Sequence, residues 1–252
     1  MAVALSTLVE EADRYLASAK IADYCPNGLQ VEGRPQVMRI VSGVTASQAL
    51  LDAAVEAEAD LVLVHHGYFW KGENPCVTGM KQRRLKTLLK HDISLLAYHL
   101  PLDLHPDVGN NVQLARQLDI TVEGPLDPDN LKIVGLVGSL NEPMTPRDFA
   151  RKVQEVMGRE PLLVEGSGMI RRVGWCTGGG QGYIDHGVAA GVDLFLSGEA
   201  SAQTFHSARE NDISFIAAGH HATERYGVQA LGDYLAKRFA LEHIFIDCPN
   251  PI

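Results

Sequence analysis

Histidines and carboxylates recur at three places where apolar segments of the chain end. These side chains are His65 and His66, then His99 with Asp103, then His220 with Glu224. At the second and third places the histidine and the acid lie four residues apart. Imidazole and carboxylate without thiolate are ligands for zinc, iron, manganese or nickel, so the metal itself stays open. The pattern predicts a divalent-metal centre, the alternative being polar side chains that only cap the ends of core strands.

The number of candidate ligands indicates two metal ions per chain. A single catalytic zinc takes three protein ligands and keeps one position open. The candidate ligands here are His65, His66, Asp103, His220 and Glu224. Such a set suits two ions roughly 3.5–4 Å apart that share a bridging carboxylate and a bridging water. We expect Glu224 to be the bridge and a catalytic residue, and His99 to act as a further ligand or as a proton carrier.

The spacing of apolar residues predicts the elements that position these side chains. The apolar run 61–64, which follows Asp60, reads as a buried strand, and its carboxyl end is where an α/β fold opens its ligand crevice. Residues 223–235 have a helical pattern. The core face of that helix carries Val228, Leu231 and Leu235. His220 and Glu224 would lie one turn apart at its start, with His221 pointing elsewhere as a supporting or merely polar residue.

The chain also contains an internal repeat with an offset of 133 residues. The matched pairs are Gln48 with Gln181, Asp52 with Asp185, Val55 with Val188, and Asp60 with Asp193. Each half reads as alternating strands and helices, which is typical of an α/β fold. We therefore predict two interlocked, duplicated α/β lobes with the metal site between them. The repeat aligns Glu199 with His66, and we consider Glu199 and His206 as further candidates for the cleft.

The predicted lobe boundaries follow from the repeat and from a proline-containing linker. The first lobe takes residues 1–125 and is completed by residues 216–252, and the second lobe takes residues 126–215. The linker spans about 124–145, and a short strand at 133–137 opens the second half.

Composition narrows the classes of function. The chain has 252 residues and a net charge of -9, which argues against a nucleic-acid partner unless a basic lining is hidden inside. Its four cysteines are scattered, which fits a reducing compartment. The amino terminus reads as a helix start capped by Ser6 or Thr7 rather than a signal peptide, and no apolar run is long enough to span a bilayer. We expect a soluble, cytoplasmic protein without a membrane partner.

Several segments of the chain, taken together, closely resemble the Nif-three-like dinuclear-metal family, whose bacterial members are described as type 2 homologues of GTP cyclohydrolase 1. The segments are Pro26-Asn-Gly-Leu-Gln30-Val-Glu-Gly, Gly43-Val-Thr-Ala-Ser47, His65-His66-Gly67-Tyr-Phe-Trp70-Lys71-Gly, His99-x-x-x-Asp103, Gly109-Asn110-Asn111, Thr177-Gly-Gly-Gly180 and Gly219-His220-x-x-Thr223-Glu224. The resemblance implies two interlocked α/β lobes, a two-metal centre and a ring-shaped homohexamer. It also implies the same five metal ligands, with no departure at those positions.

Two metal ions favour hydrolysis, because they act as Lewis acids and activate water. Ring-opening cyclohydrolysis of GTP or a related nucleotide is the leading reaction, and His99 or His221 could relay protons. Lys71, Arg225 and the glycine-rich turn 177–180 are candidates for phosphate contacts. Tyr68, Phe69 and Trp70 could stack a base, although packing is the simpler role. The alternative function is a metal-binding hexameric scaffold or regulatory protein with little catalysis of its own.

Overall fold

The structure, a computed structural model, describes residues 2–130 and 132–252. The described part of the chain divides into two compact units. Unit 1 comprises residues 2–108 and 227–248, and unit 2 comprises residues 109–226 and 249–252 apart from residue 131. Each unit combines a β-sheet with helices, which confirms the predicted α/β class.

The strands alternate with helices along most of the chain. In chain order the described strands are β1 (Val3–Ala4), β2 (Gly28–Val31), β3 (Gln36–Val37), β4 (Arg39–Thr45), β5 (Leu61–His66), β6 (Ser94–Ala97), β7 (Ile120–Pro125), β8 (Leu136–Met144), β9 (Leu162–Val164), β10 (Ile170–Cys176), β11 (Leu194–Ser197), β12 (Ser214–Ala217) and β13 (Glu242–Phe245). The described α-helices are α1 (Leu5–Leu16), α2 (Gln48–Glu56), α3 (Gly79–Lys90), α4 (Leu100–Leu104), α5 (Asn110–Gln117), α6 (Pro146–Met157), α7 (Ile184–Ala189), α8 (Ala202–Glu210), α9 (His220–Thr223) and α10 (Arg225–Phe239). Among the described residues, every helix is too short or too polar to cross a membrane.

The main sheet of unit 1 has the strand order β13-β4-β5-β6-β2. Strands β13, β4, β5 and β6 run parallel, and β2 pairs antiparallel with β6 at the edge. Leu61, Val62, Leu63 and Val64 of β5 are all fully buried. A continuous apolar run of this kind fits a parallel strand covered on both faces, one side packing on α1 and α10 and the other on α2 and α3.

The sheet of unit 2 has the strand order β7-β8-β10-β11-β12-β9. Strands β10, β11 and β12 run parallel, whereas β7, β8 and β9 pair antiparallel with their neighbours. The core of this unit packs around the fully buried Trp175 and Phe149.

The internal repeat is visible as repeated hydrogen bonds in the two units. Asp60 accepts hydrogen bonds from the backbone N–H groups of Met38 and Arg39 at 2.7 and 3.0 Å. Asp193, at the matching position, accepts hydrogen bonds from the backbone of Arg171 and Arg172 at 2.9 and 2.7 Å. The order β4-β5-β6-β2 in unit 1 likewise corresponds to β10-β11-β12-β9 in unit 2. The two units are therefore copies of one α/β design.

The unit boundaries differ from those predicted from the sequence. Residues 109–125 belong to unit 2, because β7 pairs with β8. Residues 216–226 also belong to unit 2, because β12 pairs with β11. The region 124–145, predicted as a linker, contains β8, which begins at Leu136 rather than at residue 133.

The predicted helices are found with shifted ends. Val228, Leu231 and Leu235 are fully buried in α10, as their spacing predicted. Helix α1 begins at Leu5 with Ala4 as its N-cap, so the prediction of Ser6 or Thr7 as the cap is wrong. Both residues lie inside the first turn, where a hydroxyl is past the capping position.

Candidate metal centre

Unit 1 brings His65 and its partners together at the carboxyl ends of β5 and β6. His65 is fully buried, and its Nδ1 lies 2.9 Å from the carbonyl oxygen of Tyr98. A carbonyl only accepts hydrogen bonds, so Nδ1 carries a proton, and in the neutral imidazole Nε2 is the nitrogen left with a lone pair for a metal. Nε2 lies 3.5 Å from Oδ1 of the buried Asp103. His65 therefore has the tautomer that metal coordination requires.

The neighbouring side chains are fixed by the ends of the adjoining strands. His66 Nδ1 lies 3.1 Å from Oγ1 of Thr45, the last residue of β4. Asp103 lies on α4, whose first turn is closed by the bond from the Asp103 N–H to the His99 carbonyl at 3.2 Å. The four-residue spacing of His99 and Asp103 thus reflects one helical turn at the end of β6.

His99 is oriented by a carboxylate that the sequence argument did not identify. Its Nδ1 lies 3.0 Å from Oδ1 of Asp23, whose other oxygen accepts a hydrogen bond from the Leu100 N–H at 2.9 Å. Burial raises the pKa of Asp23, but hydrogen bonds from His99 and Asn27 outweigh it and hold this pKa well below its usual range. Asp23 is therefore ionised, and His99 donates from Nδ1.

Two groups of donor atoms within unit 1 could hold a metal ion. The donor atoms of His65, His66 and His99 lie within 4.8 Å of one another, and so do those of Asp23, Cys25 and His99. Burial, with the nearby Asp23 carboxylate, raises the pKa of Cys25 to about 12. This raised pKa opposes formation of the thiolate that a metal would bind. The chemistry of the donors therefore favours the histidine group.

Aromatic side chains surround the histidine group. The Trp70 ring packs edge-on against His99 with centroids 5.1 Å apart, and the Tyr24 ring lies 4.9 Å from His99. Tyr68 is instead a core residue, and its hydroxyl donates to the Ala46 carbonyl. Phe69 is partly exposed beside Lys81. Of the three aromatic residues considered for stacking, the structure places Trp70 against the histidine group.

Unit 2 brings His220 and Glu224 together at the end of β12. His220 Nε2 lies 3.2 Å from Glu224 Oε2, and Nδ1 lies 2.7 Å from Glu199 Oε1. Burial lowers the pKa of His220, but the carboxylates of Glu224 and Glu199 outweigh it and raise this pKa to about 9. The predicted one-turn relation of His220 and Glu224 is confirmed within this unit.

The glycine-rich turn 177–180 shapes the surroundings of Glu224. Gly178 has a φ of +63°, and a Cβ at this position would lie 2.0 Å from Glu224 Oε1. The Gly178 N–H donates to Thr223 Oγ1 at 3.0 Å. Gly219, with a φ of +104°, makes the turn from β12 into α9. Glycine is needed at Gly178 and Gly219 because the left-handed backbone and the close approach leave no room for a side chain.

Other predicted residues have different surroundings. His206 is exposed on α8, with its ring against Phe205. The buried His221 donates its backbone N–H to the Ile252 carbonyl at 3.1 Å. Arg225 donates from Nη2 to the Met157 carbonyl at 2.9 Å, which is a structural contact. Lys71 is exposed.

The sequence did not indicate Asp23 or Cys25 as site residues. It indicated Glu199 as a candidate for the cleft, but not its contact with His220. Asp23 precedes His99 by 76 residues, a separation that carries no periodic signal. The signal that was present is the position of Asp23 three residues before the motif at 26–33.

Comparison with known proteins identifies relatives over nearly the whole chain. The sequence profile of the family described as Duf34/NIF3 (NGG1p interacting factor 3) matches residues 3–251. A Pseudomonas aeruginosa protein named GTP cyclohydrolase 1 type 2 homolog is 79% identical over 251 residues, covering 100% of both chains. A protein of the same name from Escherichia coli is 55% identical and covers 94% of each chain.

Solved structures agree in fold. The structure titled protein ybgI, unknown function, superposes with a TM-score of 0.95 at 52% identity and covers 99% of this chain and 100% of that one. TTHA1606 from Thermus thermophilus superposes with a TM-score of 0.89 at 35% identity and also covers 99% of this chain and 100% of that one. With the duplicated α/β units and their histidine and carboxylate groups, these matches show that the chain belongs to the Duf34/NIF3 family.

Proposed function

We propose that this protein is a hydrolase that uses two divalent metal ions. The ligands in this proposal are His65, His66, Asp103, His220 and Glu224. The observation that carries it is the arrangement within unit 1, where His65 Nε2 has the lone pair for coordination and Asp103 lies 3.5 Å away. The pairing of His220 with Glu224 in unit 2 supports the same chemistry.

The donor set fits divalent ions. Each unit supplies imidazole nitrogen and carboxylate oxygen, a combination that suits zinc, iron, manganese or nickel. The Tyr98 carbonyl behind His65 and the Glu199 carboxylate behind His220 accept from the nitrogen that does not face the acid, as partners of metal-binding histidines do. Bound ions would supply Lewis acidity and would activate water near neutral pH.

Within this proposal His99 and Glu224 are the catalytic residues. Asp23 accepts a hydrogen bond from His99 Nδ1–H, so His99 Nε2 is the atom that takes a proton from the reaction and returns it. The buried Glu224 holds its carboxylate 3.2 Å from His220, and in this proposal it would be a ligand common to both ions. The rings of Trp70 and Tyr24 pack against His99 and fix its position.

The proposed reaction is ring-opening cyclohydrolysis of GTP or a related nucleotide. The name of the relatives, GTP cyclohydrolase 1 type 2 homolog, supports this choice of substrate. We further propose that the protein is cytoplasmic and forms a ring-shaped homohexamer. Size-exclusion chromatography with light scattering would test the number of subunits.

The proposal is tested by incubating metal-loaded protein with GTP and following formate release and product mass. Glu224→Ala is the test variant, and exposed Glu210→Ala on α8 is its control. We expect turnover by wild type and by the control, and none by Glu224→Ala. Elemental analysis should show loss of at least one ion from Glu224→Ala, with the fold kept by circular dichroism.

Two results would contradict parts of this proposal. Two ions still bound to Glu224→Ala would overturn the bridging role. Wild-type protein that binds two ions and leaves GTP unchanged would exclude the cyclohydrolase reaction and would favour the metal-binding scaffold.

A further inference from the structure

A cavity of about 650 Å³ opens in unit 2 beside Glu199, the carboxylate that contacts His220. Its lining includes Arg159, Gly198, Glu199, Ala217 and Ile252, all of which belong to this unit. A volume of this order is that of a small-molecule site. The cavity lies at the carboxyl ends of β11 and β12, the edge of an α/β sheet where ligands bind.

Arg159 is the basic side chain of this cavity lining, and among the described residues no carboxylate pairs with its guanidinium within 4.0 Å. Its Nη1 is buried and has no hydrogen-bond partner among the described residues. Glu199, the lining acid nearest to His220, is bonded to His220 at 2.7 Å and to Gln181 at 3.4 Å. Glu160, the other acid of the lining, is exposed. A buried guanidinium nitrogen without a partner is costly unless a ligand supplies the acceptor.

The position of Arg159 links the cavity to the candidate metal ligand. A Cβ at Gly219 would lie 2.2 Å from Arg159 Nη1, so the guanidinium packs directly on the backbone that precedes His220. Gly198 packs equally closely, since a Cβ there would lie 2.6 Å from the His220 Cα. An anion held by Arg159 would therefore adjoin His220.

We propose that this cavity is a phosphate-binding subsite and that Arg159 is its anchor. A planar guanidinium binds phosphate oxygens through two parallel hydrogen bonds, a geometry that lysine lacks. The identification of the phosphate as part of a nucleotide substrate rests on the proposed function, whereas the anion site itself does not. Free phosphate offers the same chemistry and is separated by the experiment.

The test is isothermal titration calorimetry of the metal-loaded full chain with guanosine 5′-monophosphate, guanosine and inorganic phosphate. The variants are Arg159→Gln, Arg159→Lys and, as a matched control, Arg151→Gln on α6, whose side chain is 67% exposed. We expect wild type to bind the monophosphate more tightly than guanosine. Loss of a charged hydrogen bond predicts about ten- to hundredfold weaker binding of the monophosphate by Arg159→Gln.

The variants separate loss of the subsite from loss of the fold. Arg159→Lys should keep part of the preference for the monophosphate, and the control should keep all of it. Guanosine affinity and the thermal midpoint should stay as in wild type for each variant. Binding of inorganic phosphate that depends on Arg159, without tighter binding of the monophosphate, would support the anion site and assign it to free phosphate.

Two outcomes would overturn the subsite. One is wild-type protein that binds neither the monophosphate nor inorganic phosphate more tightly than guanosine. The other is Arg159→Gln that binds both as wild type does. GTP turnover keeps the two proposals apart: Arg159-dependent binding without turnover defeats only the proposed reaction, and turnover with an unchanged KM in Arg159→Gln defeats only the subsite.

Discussion

In unit 1 the buried carboxylate of Asp60 accepts two backbone hydrogen bonds at the start of β4, and in unit 2 Asp193 does the same at the start of β10. Arg39 and Arg172 also correspond, and each donates from Nη1 to the carbonyl that ends the following helix, at Ala57 or Ala190. The strand starts of the two units are thus held by the same bonds. These residues hold the starts of β4 and β10 in place.

The strand ends of the two units differ. The offset of 133 residues places His65 opposite Gly198 and His66 opposite Glu199. Gly198 has no room for a side chain, because a Cβ would lie 2.6 Å from the His220 Cα. Unit 1 therefore gathers histidines, whereas unit 2 combines one histidine with two acids. Duplication repeated the framework, and the chemistry diverged where strands give way to loops.

The loops that lead into the antiparallel strands β2 and β9 differ in the same way. Helices α1 and α6 both end in a left-handed residue, Ala17 and Gly158. In unit 1 the loop 17–27 is long and delivers Asp23 to His99. In unit 2 the loop 158–161 is short and delivers Arg159 to the Gly219 backbone. The same loop position therefore supplies the carboxylate that orients His99 in unit 1 and the guanidinium of Arg159 that lines a cavity in unit 2.

Exchanging Thr45, the last residue of β4, with the matching residue Gly178, which lies two residues beyond the end of β10, should have the largest effect. Gly178→Thr introduces into unit 2 the residue of unit 1, Thr45, but at a φ of +63° and against Glu224. Backbone strain and overpacking predict a loss of about 4 kcal/mol in the free energy of unfolding. The reverse change, Thr45→Gly, should cost about 1–2 kcal/mol through the lost bond to His66 and the flexible backbone.

Urea unfolding of both variants measures this difference. Equal losses in the two variants would show that the strand ends are interchangeable.

Removing the matching carboxylates Asp60 and Asp193 should lower the free energy of unfolding by different amounts. Asp60→Ala leaves two N–H groups and the Arg34 guanidinium, 2.8 Å away, without their acceptor, so we expect a loss of about 3 kcal/mol. Asp193→Ala lacks the arginine contribution and should cost about 2 kcal/mol. Exposed Asp52→Ala is the control and should change the free energy of unfolding by less than about 0.5 kcal/mol. A smaller loss for Asp60→Ala than for Asp193→Ala in urea unfolding would contradict this order.

Asp23→Asn tests the loop of unit 1. At neutral pH the loss of the ionised acceptor should cost about 1–2 kcal/mol. The pKa of Asp23 is lower in the folded protein than its ordinary value, so its stabilisation is present above that ordinary value and is lost as the pH falls through the folded pKa. The difference between wild type and Asp23→Asn should therefore be constant above about pH 5 and shrink below about pH 4. A difference that grows in acid would refute the ionised state of Asp23.

The smallest effect should come from the starts of α1 and α6. Thr145 caps α6, since its Oγ1 accepts from the Asp148 N–H at 3.1 Å and donates to the Asp148 carboxylate at 2.7 Å. Thr145→Ala should cost about 1 kcal/mol. Ser6→Ala in α1 should change the free energy of unfolding by no more than about 0.3 kcal/mol, because Ser6 caps nothing. Thermal unfolding of the two variants measures this difference. A larger drop in the thermal midpoint for Ser6→Ala than for Thr145→Ala would contradict the prediction.

The sequence by itself determined the α/β class, the repeat and the histidine and carboxylate pairs. It did so because these features are local: the run 61–64 is continuously apolar, and His220 and Glu224 are one helical turn apart. It failed at the unit boundaries, because membership of residues 109–125 depends on β7 pairing with β8 and not on composition.

Tertiary structure alone decided the partners of these residues. Asp23 reaches His99 across 76 residues, Tyr98 fixes the tautomer of His65 through its backbone, and Arg159 is positioned by the αL turn that ends α6. Such contacts leave no periodicity in the sequence, because they depend on where separate strands end in the folded sheet. The sequence therefore identifies the residue types that could bind a metal, whereas the protonation and orientation of their side chains follow from tertiary packing.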